Sequence, residues 1–315
     1  MSAVSSATTP AVLVRPNIPL RLADIDAANN APFDHKKKVE KRLEELREQL
    51  SDYQENLYAE HRQSLLLVFQ AIDTGGKDGT IRNLLTGVNP AGVEVAAFKQ
   101  PSAEELDHDF LWRIHQRTPG RGRIGVFNRS HYEDVLVTRV HGLIEPFTWQ
   151  QRYEDIRHFE QLLTRNGTRV IKFFLHISKD EQAKRLQARL DNPKKRWKFE
   201  PGDLKERQHW DAYQVAYQEA LAATSTPECP WYVIPANDKR ARDQAIAACE
   251  LIGEQLLAAL VAQLRDDHAA DISVRNAWLE HVGPLSDTSV GVRVGFTWSE
   301  PAGEDLVYNP DLFIN

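Results

Sequence analysis

Sorted only into apolar and polar positions, the chain alternates two kinds of segment. Residues 65–69, 93–98, 123–127, 169–177 and 229–234 are short and almost wholly apolar. Runs of that length, apolar on both faces, predict strands of a covered parallel sheet. Between them, apolar residues recur every three or four positions. In 34–61, Val39, Leu43, Leu46, Leu50, Tyr53 and Leu57 are spaced this way among charges, which predicts an amphipathic helix. Further helices are expected over 80–88, 102–116, 133–140, 148–165, 178–190, 203–223 and 240–264. Ser102-Ala-Glu-Glu105 and Ser178-Lys-Asp-Glu181 are capping-box sequences that open two of them. Strands alternating with helices, with few hairpin signals, predict an α/β fold: a parallel sheet with helices on both faces. Such sheets bind ligands beyond the carboxyl ends of their strands.

The pattern fails at both ends. Residues 1–33 are small, polar and proline-bearing, and are expected to form a poorly ordered or surface-draped arm. The main domain is expected over 34–270. In 271–315, Val290, Val292, Val294, Phe296 and Trp298 alternate with Gly, Arg and Thr, which predicts a β-rich extension.

Composition narrows the picture. Of 315 residues, 42% are hydrophobic and 27% charged, as in a soluble globular protein, and the formal net charge is -6. That sign gives no general reason to bind nucleic acid or an anionic membrane, so a polyanion would need a local basic patch. No apolar run approaches the roughly 20 residues of a membrane span. The segment after Met1 lacks the basic leader and apolar core of a signal peptide. Cys229 and Cys249 make neither a disulfide framework nor a metal site. The cytoplasm is the expected compartment.

The chemistry gathers where the first strand ends, in Ala71-Ile-Asp-Thr-Gly-Gly-Lys-Asp-Gly-Thr80. Gly75, Gly76 and Gly79 let backbone N–H groups face an anion, and Lys77 opens a helix whose positive end favours it. Ala71 stands where the strict Walker pattern has glycine, and Asp78 where it has Ser or Thr. The phosphate-binding loop is therefore read as Thr74, Gly75, Gly76, Lys77, Asp78, Gly79 and Thr80. The third strand delivers Asn128-Arg-Ser-His-Tyr-Glu133 to the same edge. Phosphoryl transfer needs donors around the phosphates, a metal on carboxylates, and cations. Asp73 and Glu133, with Asn128 beside them, are candidate ligands for Mg²⁺, with Mn²⁺ as the alternative. Lys77 and Arg129 are candidate phosphate clamps.

A second basic group follows the fourth strand: Arg185 and Arg189 four apart on one helix, then Lys194, Lys195, Arg196 and Lys198. Kinases of the phosphate-loop fold carry a lid at this place, so a lid is expected over about 185–210.

Taken together, Asp73-Thr-Gly-Gly-Lys-Asp-Gly-Thr80, Gly87-Val-Asn-Pro90, Glu105-Leu-Asp-His-Asp-Phe-Leu-Trp-Arg113, Phe127-Asn-Arg-Ser-His-Tyr-Glu-Asp134, Asp191-Asn-Pro-Lys-Lys-Arg-Trp-Lys198 and Trp210-Asp-Ala-Tyr213 make the chain resemble the polyphosphate kinase type 2 family over about 21–264. The resemblance implies a P-loop kinase-like, thymidylate-kinase-like core, Mg²⁺, no covalent phosphoenzyme, and homo-oligomers. It implies inorganic polyphosphate as phosphate donor or acceptor, with AMP, ADP and ATP as nucleotide partners. By position it makes Asp73 and Lys77 the loop's catalytic pair, with Arg129 following the second Walker-like strand. Arg185, Arg189, Lys195 and Lys198 become lid cations, with Lys194 among them. Many members carry aspartate at the place of Asn128 and asparagine at that of Glu133. The reversed pair here resembles the class III branch, whose members phosphorylate both AMP and ADP.

Two other readings share these features. An ATP-dependent nucleoside monophosphate kinase would have the same fold and lid, but Asp78 and Asn128 stand where it needs a hydroxyl and an acid. A non-catalytic polyphosphate- or nucleotide-binding regulator would have no use for Asp73, Lys77, Arg129 and Glu133 together.

Overall fold

The computed structural model describes residues 11–16, 18–30, 36–194, 196, 201–247, 279–281 and 292–294. The chain divides into two units, Met1–Leu257 and Ala258–Asn315. In the second, β7 (Leu279–His281) and β8 (Val292–Val294) pair antiparallel. Residues 290, 296 and 298, and the helix expected beyond 247, lie outside the described residues.

In the first unit, α1 (Lys36–Glu60) buries Val39, Leu46, Leu50 and Leu57 along one stripe, as its spacing requires. The central sheet is then laid down as β2 (Ser64–Gln70), β3 (Val93–Ala97), β4 (Ile124–Asn128), β5 (Thr168–His176) and β6 (Trp231–Pro235). These five are parallel, and with β1 (Val12–Val14) the order is β1-β6-β5-β2-β4-β3. Every residue of β2 is buried, which explains its unbroken apolar run.

From β2 the chain steps one way to β3 through α2 (Lys77–Leu84). It then steps back to β4 through α3 (Ala103–Leu106) and α4 (Trp112–His115). α5 (Glu133–Val140) and α6 (Pro146–Arg165) lead on to β5. α7 (Lys179–Asp191), α8 (Pro201–Gln208) and α9 (Trp210–Thr224) lead to β6, and α10 (Lys239–Ala247) follows. Right-handed crossovers in opposite directions put α2 and the later connections on opposite faces. The packing agrees: α10 lies against both α1 and α2, and α5, α6 and α9 pack on one another. The strand order reverses about β2, so the crevice at the carboxyl ends of β2 and β4 is the topological switch point. This is the expected P-loop kinase architecture. Among the described residues, no helix is long and apolar enough to cross a membrane.

Several expectations need correction. The N-terminal segment is not merely draped: β1 pairs antiparallel with β6, from Val12↔Val233 to Val14↔Trp231, and Leu22 is buried. Three residues of strand among prolines are too short for periodicity to register. The helix expected over 102–116 is two. Its capping box forms, with Glu105 N donating to Ser102 Oγ and Ser102 N to Glu105 Oε2. Asp109 Oδ1 then accepts from Leu111 N at 2.9 Å, a side-chain turn that competes with continued helix. The second capping box is half formed: Glu181 N donates to Ser178 Oγ, but the Glu181 carboxylate goes to Arg185 Nε at 2.7 Å. The helix expected over 203–223 breaks at His209.

Candidate active site

β2 ends in a tight loop whose backbone is shaped by two residues at positive φ, Thr74 at 65° and Gly76 at 103°. Gly75 N donates to Ile72 O at 2.9 Å. A Cβ on Gly75 would collide with Ala71 Cβ and come within 2.8 Å of Ile72 O, so the alanine in place of a Walker glycine makes glycine obligatory four residues later. No side chain caps α2 at Gly76, which leaves the N–H groups of its first turn for a ligand. Lys77 is buried and folds back, with Nζ donating to Ala71 O at 2.9 Å. Burial, then Arg129, lowers its pKa against the pull of Asp73 and Glu133.

β4 runs beside β2 in register Phe69↔Asn128, so the turn after β4 faces the loop. Arg129 takes φ 64°, in the left-handed region, while its N–H donates to Phe69 O at 3.1 Å. A non-glycine residue there costs about 1–2 kcal/mol. The strain aims the guanidinium at the loop: Nη2 donates to Asp73 Oδ1 at 2.8 Å, and Nη1 lies 3.8 Å from Glu133 Oε2. Burial opposes the Arg129 charge, but Glu133 and Asp73 outweigh it and raise its pKa. Burial raises that of Glu133, against Arg129 and Lys77. Asn128 Nδ2 donates to Asp78 Oδ1 at 2.7 Å.

The structure thus brings Asp73, Lys77, Asp78, Asn128, Arg129 and Glu133 to one crevice. Asp73 and Glu133 offer hard carboxylate oxygens around one guanidinium, and the Gln70 Oε1 and Thr74 Oγ1 oxygens nearby are buried with no hydrogen-bond partner. Such an all-oxygen set suits Mg²⁺ or Mn²⁺ and not a thiophilic metal. Among the described residues no three His, Cys, Asp or Glu side chains converge on a point.

The basic group is split. Arg185, expected as a lid cation, lies beneath the loop instead: Nη1 donates to Thr74 O at 3.1 Å and Gly75 O at 2.9 Å, and Nη2 to Ala236 O and Asn237 O. Helical spacing groups it with Arg189 but does not tell which of the two turns inward. Arg189 Nη1 pairs with Asp203 Oδ2 of α8 at 3.3 Å. Lys194 is exposed, and Lys195, Trp197, Lys198 and Phe199 lie outside the described residues. Tyr213, of the Trp210–Tyr213 motif, is buried and donates to Glu206 Oε2 at 2.9 Å.

Some residues at the site went unseen in the sequence. Gln182 Nε2 donates to Asp73 O at 3.1 Å while its Oε1 accepts from Arg207 Nη1 at 2.9 Å, linking α8 to the loop. Behind the β4 turn, buried Lys172 Nζ donates to Tyr132 Oη, Glu160 Oε2 and Thr224 O. His131 Nε2 lies 3.3 Å from Glu160 Oε1. Burial alone would raise the Glu160 pKa, but Lys172 and then His131 bring it below its ordinary value. A lysine inside an apolar strand was the signal for that network; Gln182 left none.

Residues 34–256 match the family Polyphosphate kinase 2 (PPK2). The chain is 53% identical over 225 residues to a Meiothermus ruber protein named AMP/ADP-polyphosphate phosphotransferase, covering 71% of this chain and 84% of that one. It is 55% identical over 204 residues to an ADP-polyphosphate phosphotransferase of Rhodopseudomonas palustris, covering 61% and 71%. The fold superposes on the crystal structure of polyphosphate kinase 2 from Arthrobacter aurescens TC1 with a TM-score of 0.74 at 42% identity, covering 84% of this chain and 93% of that one.

Proposed function

The chain belongs to the polyphosphate kinase 2 family, and from that premise we propose that the crevice between β2 and β4 passes phosphate from inorganic polyphosphate to both AMP and ADP. The protein is a polyphosphate-dependent nucleotide phosphotransferase. The observation that carries the site assignment is the meeting of Asp73, Lys77, Arg129 and Glu133 at the switch point of the sheet.

In this reading a phosphate oxygen of the nucleotide attacks the terminal phosphorus of polyphosphate. A new phosphoanhydride forms, the donor's P–O bond breaks, and the shortened polyphosphate leaves with the electron pair. The attacking oxygen is already ionised near neutral pH, so the site has no call on a general base. The first-turn N–H groups of α2 and Lys77 hold the donor's terminal phosphates. Arg129 leaves Asp73 in part to bridge donor and acceptor, where its planar fork stabilises the transferring group. Asp73 and Glu133, with Asn128 as a neutral neighbour, would hold Mg²⁺, which would supply charge neutralisation for the transferring phosphate. Arg189 and Lys194 would bind the trailing polyanion, and Lys195 and Lys198, outside the described residues, are assigned to the same task by resemblance alone. AMP use is supported by the Meiothermus ruber relative, whose name includes AMP as well as ADP, and we assign it to Glu133 beside Asn128. We place the protein in the cytoplasm, as a homo-oligomer.

The test is direct: incubate the protein with Mg²⁺, AMP and long-chain polyphosphate, without ATP. ADP and then ATP are expected. An ATP-dependent monophosphate kinase or a non-catalytic binder would make neither.

A further inference from the structure

We infer that Arg242 is a further phosphate-binding residue of this site, reaching the donor chain across Gly76 from α10. The inference deepens the functional reading above and rests on it for the identity of the donor. Arg242 is buried, 2% exposed, in the first half of the helix that closes the domain. Its Nε donates to Asp243 Oδ1 at 2.7 Å, and its Nη2 pairs with the same oxygen. Asp243 in turn accepts from Thr80 Oγ1 at 3.3 Å and from Asn83 Nδ2, both on α2. One edge of the guanidinium is therefore fixed to the helix that the phosphate loop opens.

The other edge faces the loop. A Cβ on Gly76 would overlap Arg242 Nη1, and a Cβ on Gly79 would stand 3.9 Å from Nη2. Nη1 makes no protein hydrogen bond among the described residues, while Nε and Nη2 are engaged by Asp243. The same Gly76 position lies 3.5 Å from Arg185 Nη1. Two guanidinium groups thus converge on the left-handed glycine at the start of α2, where uncapped N–H groups already favour an anion. Burial, helped by the Arg185 charge, lowers the Arg242 pKa, so the cation is held there at a cost that an anion would relieve. Arg185 spends its donors on loop carbonyls. Arg242 has donors left to give. Polyphosphate carries charge along its whole length, so a cation on the α10 side of Gly76 suits a donor that continues past the loop.

The experiment compares wild type with Arg242→Gln and Arg242→Lys, each first checked for native circular dichroism and melting. Tripolyphosphate binding is measured by calorimetry, and KM for polyphosphate and for ADP by turnover. Arg242→Gln is expected to weaken tripolyphosphate binding and raise the polyphosphate KM at least tenfold, with the ADP KM within twofold. Arg242→Lys is expected to fall between. Folded variants that bind tripolyphosphate like wild type, or that shift both KM values equally, would overturn the assignment. If the variants do not fold, a co-crystal of the wild-type protein with tripolyphosphate decides it. A phosphate oxygen within about 3 Å of Nη1 supports the inference; Nη1 out of hydrogen-bond reach of every phosphate oxygen overturns it. Wild-type protein that binds tripolyphosphate but makes no nucleotide product would sink the functional reading and leave this one standing.

Discussion

Arg129 Nη2 donates to Asp73 Oδ1 at 2.8 Å, joining the turn after β4 to the loop after β2. Each side chain is partly open to solvent, 40% and 33% exposed, so the pair itself adds little to stability. In the proposed reading its use is to keep a cation and an anion ready at one point for the substrate. Arg129→Gln and Asp73→Asn should each cut kcat by about 10³ or more while leaving the melting temperature nearly unchanged. The double variant should cost much less than the product of the two, since both act in one assembly. Fully multiplicative effects in stopped-flow or steady-state turnover would show that the contact is incidental.

Glu133 gives the sharpest check on acceptor choice. Asn128 brings no charge and its amide donates to Asp78, so in the proposed reading Glu133 is the acid that would organise the metal beside Asp73. AMP brings one phosphate to that ion and ADP two. Glu133→Asn should therefore lower kcat/KM for AMP more than for ADP, and adding Asn128→Asp should shift use towards ADP alone. The ratio of polyphosphate-driven rates at saturating Mg²⁺ is the readout; an unchanged ratio means that Glu133 serves only to start α5.

The buried network behind the β4 turn predicts a stability effect. Lys172→Met strips Glu160 of its main partner in a site with no water access, at a cost of about 3–5 kcal/mol. Pairing it with Glu160→Gln should recover part of the loss. Urea midpoints of the three proteins measure this, and a single variant as stable as wild type would show that Glu160 simply takes up a proton.

Asp134 predicts a pH dependence of a different kind. Its Oδ2 is buried without a hydrogen bond, 3.8 Å from Arg113 Nη2, and its Oδ1 lies 3.9 Å from Arg152 Nη1. Burial outweighs them and pushes its pKa up to about 6. The folded state thus holds this proton more tightly than the unfolded chain does. The stability it contributes is complete below about pH 4 and lost as pH rises through about 6, on the order of 1–3 kcal/mol. Asp134→Asn should remove that slope, so its advantage over wild type in urea should grow from pH 4 to pH 8. A constant difference would mean that the two arginines hold the carboxylate ionised throughout.

Much of the core was legible because its signals are local. The central strands could be read from runs such as Leu65–Phe69 because full burial leaves no polar alternation to confuse; β3 is the exception, an edge strand exposed at Glu94, Val95 and Ala97 rather than covered as expected. Asp73, Lys77, Arg129 and Glu133 could be grouped because all four follow strand ends on one edge of a parallel sheet. What stayed hidden depends on long-range contacts. Arg185 and Arg189 look alike along the helix, and only the loop carbonyls above α7 distinguish them. Arg242 sits 166 positions from Gly76 in a helix that periodicity describes as packing alone. The break at Asp107–Asp109 turned on one side-chain oxygen, which competes with the helix at a cost too small for pattern to weigh.

The pairing of β1 with β6 sets an order of events during synthesis. Val12 meets Val233 across the edge of the sheet, so the earliest strand waits for one of the latest. At about 5–20 residues per second, the interval is on the order of ten seconds or more. β2, β4 and β5 can associate while β6 is still being made, and β1 stays unpaired meanwhile. The edge beside β5 is therefore closed last, and a nascent chain held up before residue 231 would present it to the chaperones and to its own copies on neighbouring ribosomes.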